Sequence, residues 1–122
     1  MVLFATLFSR QSAVSHSPNL IPLHSYRELL NGGTRELLRT NFMNVILFYP
    51  GGLLLRMLLP SGRRAVPAWI GTGLLLGCFS LGLEYLQYRL ALGTPEIDDV
   101  IHNTLGALLG WLCFHSFLKI AE

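Results

Sequence analysis

The feature that most constrains this chain is a long run of apolar and small residues at positions 66–88. Glu84 is the only charged residue in the run. A helix of this length rises about 35 Å, whereas the hydrocarbon core of a bilayer is about 30 Å thick. The 122-residue chain is 52% hydrophobic and only 13% charged, with a mean hydropathy of +0.49. This composition favours lipid as the solvent, and the run predicts a membrane-spanning helix.

Similar apolar segments elsewhere in the chain indicate the fold class. The predicted long helices cover residues 41–59, 66–92 and 95–119. Residues 1–9 are also apolar, but nine residues rise only about 13 Å as a helix and do not cross a bilayer. We therefore expect an all-α, polytopic membrane bundle. Three full transmembrane helices and one short N-terminal helix would form a single membrane domain over residues 1–122.

The longest polar segment, residues 10–40, is predicted to contain an amphipathic helix at the membrane interface. Ser25 and Glu28 have the spacing of a capping box at a helix start. A solvated loop is the alternative for this segment. In the helix over 41–59, Pro50 predicts a kink or local unwinding. Arg56 is close enough to the end of that helix to extend its charge to the membrane surface.

The distribution of charge excludes some functions and suggests an orientation. The nine lysines and arginines are scattered and the net charge is only +2, so nucleic acid is not expected as a partner. No catalytic triad or phosphate-binding loop is evident, and no cofactor is expected. The basic turn that contains Arg63 and Arg64 favours a cytoplasmic location for that turn. The turn near residue 93 would then face the outside.

That second turn connects two helices within the stretch Glu84–Gly110, which holds four of the seven acidic residues. Gly93 is a natural residue to end the first helix. Thr94 and Pro95 are natural residues to begin the second. The prediction is an antiparallel hairpin with a very short turn. Three pairs are then expected to face each other: Glu84 with Asn103, Arg89 with Asp98, and Gly77 with Gly110.

Small residues support close packing of this hairpin. Gly73 and Gly77 are four residues apart, as are Gly106 and Gly110, and such spacing lets two helices approach closely in lipid. Asp99, Asn103, Gly106 and Gly110 form one stripe along the last helix. The prediction is that this stripe faces the preceding helix rather than lipid.

A polar pocket near one membrane face is the resulting candidate site. Its predicted residues are Asn44, Glu84, Gln87, Arg89, Asp98, Asp99 and Asn103. Acids in the first turn of a helix are favoured by the helix dipole whatever their function, which explains Glu96 and, with Arg89, Asp98. The dipole of its own helix disfavours Glu84, so Glu84 is the strongest functional candidate. His102 lies one residue off the stripe, so a metal site with these acids is not expected.

Four sequence motifs occur in order along most of the chain. They are Asn19-Leu20-Ile21-Pro22, Asn44-x-x-x-Phe48-x-Pro50-x-Gly52, Glu84-x-x-Gln87, and Asp98-Asp99-x-x-x-Asn103-x-x-Gly106-x-x-x-Gly110. The ordered set resembles the VanZ-like family. The resemblance implies a small, multi-pass protein of the bacterial inner membrane. The founding member of that family is associated with resistance to the glycopeptide antibiotic teicoplanin.

The motif residues that match the family are Asn44, Pro50, Glu84, Gln87, Asp98, Asp99, Asn103 and Gly106. The chain departs from the pattern in its short first helix, in Glu96 where the family often has aspartate, and in His102 where an apolar residue is expected. Three functions are consistent with this reading. In the first, the pocket would bind a lipid headgroup or an amphiphilic glycopeptide. In the second, the protein would be an enzyme that acts on a lipid-linked envelope precursor. In the third, it would be a structural membrane subunit. The lipid bilayer is the expected partner in each.

Overall fold

The described part of the chain is a bundle of three long helices with one short helix at its start. The computed structural model describes residues 19–33, 35–59, 64–92 and 94–121. Its helices are α1 His24–Leu30, α2 Arg35–Leu58, α3 Ala65–Arg89 and α4 Ile97–Ala121. The last three are long and apolar enough to cross a membrane. The predictions of an all-α fold and of three membrane-spanning helices are therefore confirmed. The short helix predicted over residues 1–9 lies outside the described residues.

The second helix is longer and more regular than predicted. It begins at Arg35 rather than near residue 41, so the end of the predicted interfacial segment belongs to it. The helix continues without interruption past Pro50, so of the two predicted alternatives, a kink or local unwinding, the unwinding does not occur. A proline inside a transmembrane helix is tolerated when neighbouring groups satisfy the backbone that it leaves unpaired. Pro50 itself is exposed on the outer face of α2.

The closest helix packing is between α2 and α4. A methyl group added at Gly106 would meet the backbone carbonyl of Val45, and one added at Gly110 would meet that of Tyr49. The predicted stripe on α4 therefore packs its glycines against α2, and the prediction that they face the preceding helix is wrong. A glycine stripe indicates that some helix approaches closely, but it does not say which one.

Side chains rather than facing backbones mediate the packing of α3 on α4. A Cβ atom at Gly73 would lie 2.9 Å from the Leu108 side chain, and one at Gly77 would lie 3.0 Å from Thr104 Oγ1. Gly77 thus faces Thr104, and its predicted pairing with Gly110 is wrong. Trp69 Nε1 donates to the Leu108 carbonyl at 3.3 Å. Glycines on α3 leave room for these α4 side chains.

The connection between α3 and α4 is longer than the predicted two-residue turn. After α3 ends at Arg89, the Leu92 N–H donates to the Gln87 carbonyl at 3.0 Å and the Ala91 N–H donates to the Tyr88 carbonyl at 3.2 Å. These two bonds form a Schellman motif. Ala91 takes the left-handed position of that motif, with φ 52°, so the helix ends earlier than a turn at Gly93 requires.

The longer connection displaces the register of the hairpin by one helical turn. Asn103 donates to Ser80 rather than to Glu84, four residues along α3. Pro95 was predicted at the first position of the last helix, but α4 begins at Ile97.

Replacing Ala91 with glycine is expected to stabilise the protein. A left-handed backbone costs an L-residue about 1 kcal/mol relative to glycine, and Ala91 is exposed, so its methyl group contributes little packing. We expect a gain of about 1 kcal/mol in the free energy of unfolding in detergent micelles. The matched substitution at an ordinary helical position, Ala68→Gly, should destabilise by a similar amount. A loss of stability in Ala91→Gly would contradict the assigned backbone conformation.

Candidate functional site

Most of the buried polar side chains lie at one end of the bundle, where α2 and α4 begin and α3 ends. We call this region the polar end. Its buried polar residues are Ser25, Asn41, Asn44, Ser80, Glu84, Gln87, Asp98, Asp99, His102 and Asn103. The buried apolar residues of the described chain are Phe48, Leu83, Ala107 and Trp111. Polar side chains inside a membrane protein are costly and mark a functional site by default.

The structure brings together six of the seven residues predicted for the pocket. Gln87 of α3 and Asp99 of α4 are each only 4% exposed, and Asn44, Glu84, Asp98 and Asn103 are buried with them. Arg89 is exposed and lies outside this group. The polar end is therefore rich in carboxylate and amide groups, and no lysine or arginine of the described residues is buried there.

Glu84 is held at the start of α4. Its Oε2 accepts a hydrogen bond from the backbone N–H of Glu96 at 3.1 Å, and the side chain is 6% exposed. The N-terminal end of a helix carries partial positive charge, which stabilises a carboxylate. The sequence analysis considered only the dipole of the helix to which Glu84 belongs, and it therefore missed this interaction. The dipole of α4 supplies the favourable interaction.

Asn103 connects α4 to α3 by one hydrogen bond, and one of its side-chain polar atoms has no partner among the described residues. Its Nδ2 donates to Ser80 Oγ at 2.7 Å. Its Oδ1 is buried without a hydrogen-bond partner among the described residues. Ser80 was not predicted as a site residue. Its position four residues before Glu84, on the same helix face, is the signal that could have identified it.

Two asparagines of α2 add further buried amide groups without hydrogen-bond partners among the described residues at the polar end. Asn41 and Asn44 are three residues apart, so they lie on the same face of the helix. Both are buried, and the Nδ2 atom of each has no hydrogen-bond partner within the described chain. Asn41 was missed by the sequence analysis, although its spacing from Asn44 points to it. An unpaired buried amide costs about 1–3 kcal/mol, so these residues impose a cost on the folded protein.

Asp98 binds the start of α1 rather than Arg89. Its Oδ1 accepts from the Leu23 N–H at 2.5 Å, and its Oδ2 accepts from the N–H and the hydroxyl of Ser25, both at 2.8 Å. The predicted pairing with Arg89 is wrong because the connection between α3 and α4 does not bring the two side chains together. The predicted capping role of Ser25 is also wrong, since Asp98 accepts from the start of α1 instead.

His102 completes the attachment of α1 to α4. Its Nδ1 lies 2.5 Å from the Asp98 carbonyl, so Nδ1 carries the proton, and its Nε2 lies 2.9 Å from the Tyr26 hydroxyl. These contacts explain why a polar residue occupies a position expected to be apolar. No group of three His, Cys, Asp or Glu side chains in the described ranges is arranged to hold a metal ion.

An apolar groove of about 490 Å³ runs between α3 and α4 on the outside of the bundle. Its lining includes Ile97, Val100, Gly77, Gly73 and Trp69. The groove begins at Ile97, adjacent to Glu96, whose N–H binds Glu84. The apolar groove is therefore next to the polar end.

Comparison with known proteins assigns the chain to a family. No curated protein and no solved structure shows significant similarity to the chain. A family model described as VanZ/LLP1 matches residues 1–119, nearly the whole chain. The resemblance noted in the sequence motifs is thereby confirmed. This multi-pass, membrane-spanning chain belongs to the VanZ/LLP1 family.

Proposed function

We propose that the polar end binds the headgroup of an amphiphile and that the protein acts in envelope integrity or glycopeptide resistance. The observation that carries this proposal is the set of buried amide atoms without protein partners. Asn41 and Asn44 offer donors and Asn103 offers an acceptor. Buried polar atoms are almost always hydrogen-bonded in folded proteins. A ligand that pairs these atoms would account for their retention.

The charges at the polar end restrict the chemistry of the headgroup. Glu84 and Asp99 are buried carboxylates, and no buried lysine or arginine accompanies them within the described residues. A phosphate would be repelled there. Hydroxyl, amide and ammonium groups would instead donate to the carboxylates, and hydroxyl and amide groups would also accept from the asparagines. Carbohydrate and peptide headgroups carry such groups, as do glycopeptides.

The adjacent groove supports an amphiphilic ligand. The groove is apolar and opens on the outside of two helices that span the membrane, so an acyl chain can enter it from the bilayer. A headgroup at the polar end and a chain along Ile97 and Val100 would occupy contiguous sites. The orientation inferred from basic residues would place the headgroup at the outer membrane face.

We expect Glu84→Gln and Asn103→Ala to abolish protection against teicoplanin in cells while the protein inserts at normal abundance. Each change removes a group at the polar end. Thr72→Val is the matched control, because Thr72 is buried and polar but its hydroxyl donates within α3, to the Ala68 carbonyl. The growth-inhibitory concentration of the antibiotic and the amount of membrane-inserted protein are measured together.

The same strains distinguish the alternatives. Mass spectrometry of envelope precursors should give an unchanged pool for a binding protein, whereas a new or depleted species that depends on Glu84 would indicate an enzyme. Full protection in both polar-end variants would contradict binding at the polar end and favour a structural subunit.

A further inference from the structure

The opposite end of the bundle contains a buried arginine. Arg56 lies in the last turn of α2, two residues before its end at Leu58. The sequence predicted that its side chain would extend to the membrane surface, but only 7% of the residue is exposed. The proposed ligand at the polar end does not reach this region, so its role is a separate question.

Aromatic and uncharged groups hold the guanidinium in place. Its central carbon lies 5.4 Å from the centroid of the Trp111 ring, a cation–π contact, and that ring stacks on His115 at 4.8 Å. Nε donates to His115 Nδ1 and Nη1 donates to the Leu59 carbonyl, both at 3.3 Å. Since His115 Nδ1 accepts from Arg56, that nitrogen carries no proton. These contacts with Trp111, His115 and the Leu59 carbonyl set the orientation of the guanidinium.

The positive charge of Arg56 has no acidic partner among the described residues. The six described acids are at the polar end, in α1 or at the start of α2: Glu28, Glu36, Glu84, Glu96, Asp98 and Asp99. A guanidinium has five N–H groups, and the bonds to His115 and Leu59 use one on Nε and one on Nη1. A cation–π contact contributes roughly 0.5–2 kcal/mol, whereas a buried charge without a counter-ion costs considerably more. Among the described residues, no carboxylate neutralises the guanidinium.

We propose that Arg56 binds a phosphate group at this end of the bundle. Arginine recognises phosphate through two parallel hydrogen bonds, which need a planar guanidinium of fixed orientation. Trp111 and His115 supply that orientation. Two residues correspond to about 3 Å of helix, so Arg56 lies close to the level of the lipid phosphates. The two sources of this chemistry are a phospholipid headgroup and a soluble phosphate.

The test uses the full chain purified in detergent. Phosphatidylglycerol should raise the unfolding temperature of the wild type, and diacylglycerol, which lacks only the phosphoglycerol, should not. Arg56→Gln should abolish the shift and weaken phosphatidylglycerol binding at least tenfold by native mass spectrometry. Arg56→Lys retains the charge but loses the planar fork, so its binding should be intermediate. Arg64→Gln is the matched control, because Arg64 is exposed, and should behave like the wild type.

Inorganic phosphate at the same concentration separates the two sources. If only phosphatidylglycerol raises the unfolding temperature, the ligand is a phospholipid. If phosphatidylglycerol and inorganic phosphate raise it equally, the ligand is a soluble phosphate. Either result supports the proposal, provided that Arg56→Gln abolishes the increase. If Arg56→Gln does not fold, Arg56→Lys is compared with Arg64→Gln, and equal binding by the two contradicts the proposal. An equal shift with diacylglycerol, or an unchanged shift in Arg56→Gln, also overturns it.

Discussion

Gly106→Ala is expected to disrupt the packing of α2 on α4. The added methyl group would overlap the backbone carbonyl of Val45, and a backbone atom cannot rotate away as a side chain can. Overpacking of a well-packed interface costs about 1–3 kcal/mol, and we expect a loss at the upper end of that range. Gly110→Ala should behave similarly, because its methyl group would overlap the Tyr49 carbonyl. Unfolding midpoints in detergent micelles measure both.

Two glycines of α3 provide matched controls. A methyl group added at Gly71 or Gly82 would meet no heavy atom within 4 Å. Alanine favours a helix over glycine by about 0.8–1 kcal/mol, so Gly71→Ala and Gly82→Ala should be neutral or slightly stabilising. If Gly106→Ala were as stable as these controls, the close approach of α2 to α4 would be incorrect.

Asp98→Ala is expected to weaken the attachment of α1 to the bundle. The substitution removes three hydrogen bonds to a buried carboxylate, from two backbone N–H groups and the Ser25 hydroxyl. Hydrogen bonds to charged groups contribute about 1.5–3 kcal/mol each. Hydrogen exchange of the Leu23 and Ser25 amides should therefore accelerate at least tenfold. The long helices should keep their protection, because Asp98 does not pair with α2 or α3 in any contact described above.

Two other variants show whether the carboxylate acts on α1. Ser25→Ala removes one of the three bonds and should give an intermediate acceleration. Arg89→Gln should change nothing, because the exposed Arg89 does not bind Asp98. If Arg89→Gln and Asp98→Ala accelerated exchange of these amides equally, the result would support the Arg89–Asp98 ion pair predicted from the sequence. It would contradict the observed capping of α1 by Asp98.

The membrane helices could be predicted from sequence because apolar length alone determines whether a helix spans a bilayer. The register of the hairpin could not. Glycine is the residue type that most readily adopts a left-handed conformation, and for this reason the sequence pointed to Gly93. In the structure, Ala91 adopts that conformation. That choice displaces Glu84 from Asn103 by one turn. No local signal favours alanine in such a position.

Contacts between segments that are distant in the chain could not be predicted from the sequence either. Asp98 is separated from Ser25 by 73 residues, and an acid in the first turn of a helix already has a local explanation. The stripe that ends at Gly110 correctly indicated close packing, but the partner helix depends on the full arrangement of the bundle. Glu84, by contrast, was identifiable as a candidate because it is the only charged residue in the apolar run at positions 66–88.

The most direct test of a binding site at the polar end is the stability of Asn44→Leu. Leucine has the same number and branching of side-chain heavy atoms as asparagine, and it removes a buried donor that has no partner in the described chain. If Asn44 is retained to bind a ligand, the variant should unfold at a higher temperature than the wild type in detergent without ligand, yet lose protection against the glycopeptide. A lower unfolding temperature, or unchanged protection, would contradict the proposed function.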